Sequence, residues 1–137
     1  MFIDTHCHLD FDIFDNDRIA LIDNCLKLGI NLFINPATQS STWDKLIQLN
    51  KQFSNIHICF GLHPIFIKKH TTRDIRKLEE YSQNIQTKLI GEIGLDKRID
   101  GFDKQLEFFS AQISIAKNLD KKVIIHSVKS HNEIIKT

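Results

Sequence analysis

The chain has 137 residues, room for one ordinary domain and too few for two. At 42% hydrophobic and 26% charged residues it has enough apolar material for a core, which excludes a disordered tail. Its 18 basic and 17 acidic residues leave a formal charge of +1, which excludes a general electrostatic grip on nucleic acid. Any such substrate has to be held by a local site, for instance by metal ions.

The apolar runs are far shorter than the roughly 20 residues that span a bilayer, and Asp4, His6 and His8 interrupt the N-terminus where a signal peptide has its apolar stretch. A cytoplasmic protein with no membrane partner is the expectation. Cys7, Cys25 and Cys59 form an odd set without a C-x-x-C pair and read as structural thiols, with Cys7 a weak candidate for the rim of a site.

Strands are expected to begin near Phe2, Ile30, Ile56, Lys88 and Lys122, roughly 26 to 34 residues apart, the size of a βα unit. Runs such as Leu32-Phe33-Ile34 and Val123-Ile124-Ile125 are apolar on both faces, as parallel strands covered by helices must be. Between them, Asp15 or Asn16 opens a helix whose stripe of Ile19, Ile22 and Leu26 ends at Gly29. Ser40 or Ser41 caps a second helix with Trp43, Leu46, Ile47 and Phe53 on one face. Thr72 or Asp74 opens a third through Ile75 and Leu78, and Leu106, Phe109, Ile113 and Ala116 mark the fourth. No linker or low-complexity stretch divides residues 1–137, so a single α/β domain is expected. The first strand is followed by Asp4-Thr5-His6-Cys7-His8 rather than a glycine-rich turn, which disfavours a dinucleotide-binding fold and leaves a (β/α)8-type barrel.

In such a barrel the chemistry collects at the C-terminal ends of the strands. Those positions hold His6 and His8, Asn35, His63, Glu92 and His126 in turn. Residues two apart in an extended segment face the same way, so the His6 and His8 imidazoles can converge on one ion. Glu92 lies between apolar neighbours, where a carboxylate is costly unless paired or metal-bound, and its two oxygens suit it to bridge two ions. His126 closes an apolar strand and joins the ligand set through its company rather than its own context. His63 stands before Pro64 as a substrate contact or a plain turn residue, and His57, His70 and His131 read as bystanders. Phe60, Phe66 and Phe108 read as core residues.

These motifs, in order, carry a family resemblance. Phe2-Ile3-Asp4-Thr5-His6-Cys7-His8-Leu9-Asp10, Gly61-Leu62-His63-Pro64, Gly91-Glu92-Ile93-Gly94-Leu95-Asp96 and the run from Gln105 to His126-Ser127 resemble the TatD family of metal-dependent deoxyribonucleases, and within it the YjjV-like branch. The resemblance covers essentially the whole chain. It implies a (β/α)8 barrel with one or two divalent ions (Mg, Mn or Zn) that hydrolyses phosphodiester bonds in DNA or a related substrate. By position, His6 and His8 hold one ion, Glu92 bridges it to a second held by His126, and His63 lines the substrate pocket.

The family also uses a later histidine and a late aspartate, neither of which has a counterpart before Thr137. A barrel takes about 250 residues, so about five βα units of a truncated barrel are expected, with little hydrolysis from this chain alone. The full-length form is expected to be a monomer, whereas open edges on the first and fifth strands invite the shorter chain to self-associate. Lys97 and Arg98 stand where the family often has an aromatic residue, and Val128 stands where an arginine commonly follows His-Ser. Hydrolysis of C–N bonds on the same metal barrel is the alternative chemistry, and a non-enzymatic remnant or partner-binding half-barrel is the alternative class.

Overall fold

The computed structural model describes residues 1–85 and 87–137. Five parallel strands alternate with five helices: β1 (Phe2–Asp4), α1 (Arg18–Lys27), β2 (Ile30–Pro36), α2 (Trp43–Gln52), β3 (Ile56–Cys59), α3 (Thr72–Asn84), β4 (Leu89–Asp96), α4 (Phe102–Asn118), β5 (Lys122–Val128) and α5 (His131–Lys136). The sheet forms in two pieces, β1-β2-β3 and β4-β5, which meet at a parallel bridge between Phe60 and Ile90. Among the described residues no helix is long and apolar enough to cross a membrane.

The expected strand starts hold, but three site residues sit deeper than expected. Asn35, Glu92 and His126 lie inside strands, because β2 runs on to Pro36 and β4 and β5 stay paired as far as Asp96 and Val128. The stripe read on the first helix is only partly buried. Ile22 is sealed at 1% exposure, while Ile19 stays 58% exposed, since α1 leans on β2 at the edge of the sheet.

The core sits between the strands and the inner faces of α2, α3 and α4. Trp43, Phe60 and Tyr81 meet with ring centroids 5.2–5.4 Å apart, clasping α2, the end of β3 and α3 together. Phe60 and Phe108 are core residues as expected, and Phe66 is half-buried in the loop after β3. At the start of α3 the Asp74 carboxylate accepts from both the amide and the hydroxyl of Thr71, each at 2.8 Å, and from the Ser40 hydroxyl. That arrangement satisfies the helix N-terminus and ties it to the turn before α2.

Two buried glutamines of α4, seven residues apart and so on one helix face, position the loops above the sheet. Gln112 exchanges two hydrogen bonds with the Leu62 backbone, accepting at 2.8 Å and donating at 3.2 Å. Gln105 accepts from the Asp96 amide at 2.8 Å and donates to the Asp96 and Ile99 carbonyls. One glutamine therefore fixes the residue before His63, and the other fixes the end of β4.

Candidate metal centre

The segment after β1 is pinned to β2. The Cys7 amide donates to the Ile34 carbonyl at 3.0 Å, so His6 and His8 on either side of it turn the same way. The Cys7 thiol also points at the Ile34 carbonyl, and burial pushes its pKa up to about 12. It is a neutral packing group rather than a ligand, and Cys25 and Cys59 are likewise free thiols.

Glu92 enters from β4 and is 4% exposed. Its amide donates to the Ala37 carbonyl at 2.8 Å, while Gly91 donates to Phe60 at 2.8 Å, so β4 tucks in beside the ends of β2 and β3. The flanking glycines let β5 lie close against β4 at this point. A Cβ at Gly94, whose φ is +144°, would lie 2.0 Å from the His126 carbonyl oxygen, and one at Gly91 would lie 2.7 Å from the Ile124 Cβ. The β4–β5 seam is therefore closed against side chains next to the carboxylate.

Four imidazoles converge on this one carboxylate. Oε2 lies 2.9 Å from His6 Nε2 and 3.3 Å from His8 Nε2, while Oε1 lies 3.4 Å from His63 Nε2 and 3.2 Å from His126 Nδ1. Each oxygen thus faces its own pair, giving two groups of donor atoms that share Glu92: His6, His8, Glu92 and His63, Glu92, His126. Burial alone would raise the Glu92 pKa. Hydrogen bonds from His63 and His8, with electrostatic attraction to the His63 and His6 rings, outweigh it and hold the carboxyl well below the usual carboxylate range.

The outer nitrogens distinguish the imidazoles. His8 Nδ1 lies 3.0 Å from the Pro36 carbonyl, an acceptor only, so Nδ1 carries a proton, and Nε2 is left either to donate to Glu92 or to offer its lone pair to a cation. His126 Nε2 lies 3.0 Å from Asp96 Oδ2, which holds a proton there and leaves Nδ1, 3.2 Å from Glu92 Oε1, able to offer its lone pair to a cation. His63 is reversed. Its Nδ1 accepts from the Ile65 amide at 3.0 Å, so Nε2 carries the proton and points a donor, not a lone pair, at Oε1. His6, His8, Glu92 and His126 therefore fit a divalent cation, and His63 fits a hydrogen-bond donor beside it.

Two groups behind the site had no clear mark in the sequence. Asp96 is 1% exposed and carries Arg98 on both oxygens, at 3.0 and 2.7 Å. Arg98, then burial acting against it, then His126 set its pKa, and the balance leaves the carboxyl well below the usual range. His70, read as a bystander, is buried and donates to the His63 carbonyl at 3.0 Å, fixing the loop that carries His63. The only sequence signals for these were the closing aspartate of Gly-Leu-Asp and the Gln105/Gln112 spacing on α4. Asn35 donates to Asp10 at 2.9 Å inside the fold and does not reach the centre, while His57 is exposed on β3 and His131 is exposed at the start of α5.

Parallel βα units with histidines and one shared carboxylate gathered from the strands and the segments that follow them define a metal-dependent hydrolase type of site. Comparison with known proteins assigns the chain: its residues 3–137 match the model of the TatD-related DNase family, and it belongs to that family. It is 32% identical to YjjV of Escherichia coli K12, an uncharacterised metal-dependent hydrolase, over 97% of this chain and 53% of that one. It is 29% identical to the deoxyribonuclease TATDN3 of Homo sapiens, over 91% of this chain and 51% of that one. The crystal structure of E. coli YjjV, a TatD homolog, superposes with a TM-score of 0.93 at 31% identity, covering 98% of this chain and 54% of that one. The chain thus spans about half the length of the relatives it matches.

Proposed function

We propose that the whole protein is a hydrolase of phosphodiester bonds, DNase-like, on a (β/α)8 barrel of which this chain supplies the first five βα units. The observation that carries the reading is the division of Glu92 between two histidine pairs, one on each carboxylate oxygen. His6, His8 and Glu92 would hold one divalent ion, and Glu92 and His126 would contribute to a second; Mg, Mn and Zn all suit these donors. When bound, such ions supply Lewis acidity to the phosphate and to the attacking water.

The chain's own residues then do three things. Asp96 and Pro36 accept from the outer N–H of His126 and His8, which leaves the inner nitrogens able to offer lone pairs to a cation. The Nε2–H of His63 is directed at the same carboxylate edge and can donate to a phosphate oxygen seated there. Glu92, kept ionised, supplies the negative charge that retains the cations. A near-neutral overall charge fits a substrate gripped through the site rather than through a basic surface.

Among the described residues these ligands come from the β1, β4 and β5 segments, and weak ion binding with slow hydrolysis is the expectation for the 137-residue chain by itself. The test is calorimetric titration with Mn²⁺, followed by assay on plasmid DNA and on bis(p-nitrophenyl) phosphate. Binding lost in Glu92→Gln, with slow cleavage abolished by EDTA, supports the reading. A chain that binds no divalent ion, or cleavage that survives both EDTA and Glu92→Gln, would overturn it. Turnover matching that of E. coli YjjV would overturn the expectation of reduced activity.

A further inference from the structure

Different acceptors stand behind two of the imidazoles of the centre. Behind His8 is a neutral group, the Pro36 carbonyl, 3.0 Å from Nδ1. Behind His126 is a carboxylate, Asp96, whose Oδ2 lies 3.0 Å from Nε2. An ionised acceptor draws the outer proton harder than a carbonyl does, which makes the opposite ring nitrogen a stronger donor to a cation. With Asp96 acting alone, His126 would be the stronger ligand of the two.

Asp96 does not act alone. Arg98 Nη2 donates to the same Oδ2 at 2.7 Å, closer than His126, and Arg98 Nε donates to Oδ1 at 3.0 Å. The guanidinium spans both oxygens in the bidentate geometry and competes with His126 for one of them. The Arg98 side chain is not what holds Asp96 in place. The Arg98 backbone amide donates to Oδ1 at 2.9 Å whatever side chain follows it, and Gln105 grips the Asp96 amide at 2.8 Å and its carbonyl at 3.1 Å. Asp96 is sealed at 1% exposure, whereas the Arg98 side chain is 58% exposed. What the arginine adds to a carboxylate already anchored is its positive charge. The neighbouring Lys97 turns elsewhere, to Glu133 and the face of Phe102, so of these two successive cations Arg98 alone reaches Asp96.

We propose that Arg98 is a positioning residue that attenuates His126 as a ligand: by neutralising Asp96 it weakens the pull on the His126 Nε2–H and keeps the ion beside Nδ1 exchangeable. The inference rests on the metal-centre reading above and adds to it a residue that touches neither ion nor substrate.

The experiment compares wild type with Arg98→Met, which keeps the length of the side chain and removes its charge. In the metal-free, isotope-labelled chain the His126 Nε2–H resonance is expected to move downfield in Arg98→Met, as that proton gains Asp96 Oδ2 for itself. By calorimetry at about pH 8, above the ordinary histidine range, Mn²⁺ is expected to bind about three- to tenfold more tightly to Arg98→Met. Arg98→Lys, which keeps the charge, is expected to lie closer to wild type than Arg98→Met in both measurements. Lys97→Met removes a charge from the adjacent residue and is expected to stay within about twofold of wild type. In an Asp96→Asn background, Arg98→Met is expected to change the affinity less than about twofold, because the carboxylate through which it acts is gone.

Weaker or unchanged Mn²⁺ binding in Arg98→Met would make the arginine a mere anchor and overturn the role. Equal tightening in Lys97→Met, or undiminished tightening in the Asp96→Asn background, would reduce the effect to overall charge and overturn it as well. An Nε2–H resonance that stays put or moves upfield would overturn it whether or not an ion binds. The metal-centre reading fails on a different result, a wild-type chain that binds no Mn²⁺, so the two failures are distinguishable.

Discussion

Gly94→Ala tests whether the β4–β5 seam is as tight as the geometry requires. The added Cβ would lie 2.0 Å from the His126 carbonyl oxygen and 2.9 Å from that residue's N and C, where real Cβ atoms essentially never come under 3.0 Å. All three atoms are backbone, so no flexible side chain can yield, and the strands themselves have to part. Holding an alanine at φ +144° costs about 1–3 kcal/mol, and prising open a packed seam costs about 1–3 kcal/mol more. The expected loss is about 2–6 kcal/mol, a large share of the roughly 5–15 kcal/mol that stabilises a domain. Urea unfolding followed through Trp43, the sole tryptophan and fully buried, reads this directly. The melting temperature should fall by about 3–5 °C per kcal/mol. A loss under about 1 kcal/mol would refute the reasoning, since it would mean that β5 does not press on Gly94.

The tautomer assignments predict opposite results for two neighbouring histidines. His126→Ala should weaken Mn²⁺ binding at least about tenfold by calorimetry, whereas His63→Ala should leave it essentially unchanged; equal losses would make His63 a ligand. Asp74→Ala should cost about 1 kcal/mol by removing the acceptor for Thr71 and Ser40 at the start of α3. Burial opposes the Asp74 carboxylate but the Ser40 and Thr71 hydrogen bonds outweigh it, so its pKa in the folded chain lies below the ordinary value. Its contribution is therefore complete above about pH 4 and is lost as the pH falls through the folded value. The stabilities of wild type and Asp74→Ala should converge on acidification, as followed by urea titrations across that range. At the β1 edge, Phe2 and Ile3 are 68% and 49% exposed, and the chain should self-associate with rising concentration. Phe2→Lys should reduce that association in size-exclusion chromatography with light scattering, and a wild-type chain that stays monomeric at every concentration would sink the idea.

Much of the site was legible in one dimension because its cues are local. The i, i+2 spacing of His6 and His8 needs only an extended backbone to put both imidazoles on one side. A carboxylate inside Leu89-Ile90-Gly91-Glu92-Ile93-Gly94 signals a buried charge in need of partners, and an apolar run ending in His126 marks a strand. The same locality gave the strand starts, since each run is apolar on both faces wherever helices cover a parallel sheet.

The tertiary structure decided what depends on groups far apart in the chain. His8 can offer a lone pair to a cation because the Pro36 carbonyl, 28 residues away, accepts from its outer N–H, and His126 can because Asp96, 30 residues away, does the same. His63 becomes a proton donor through the amide of its near neighbour Ile65, but only the fold sets its Nε2 against Glu92. The half-exposed stripe on α1 and the buried anchors Gln105 and Gln112 likewise follow from which neighbours the packing supplies. Residue type and spacing fix which way a side chain points along its own element. Which proton it carries and what it faces are set by electrostatics between elements, and those exist only once the chain has folded.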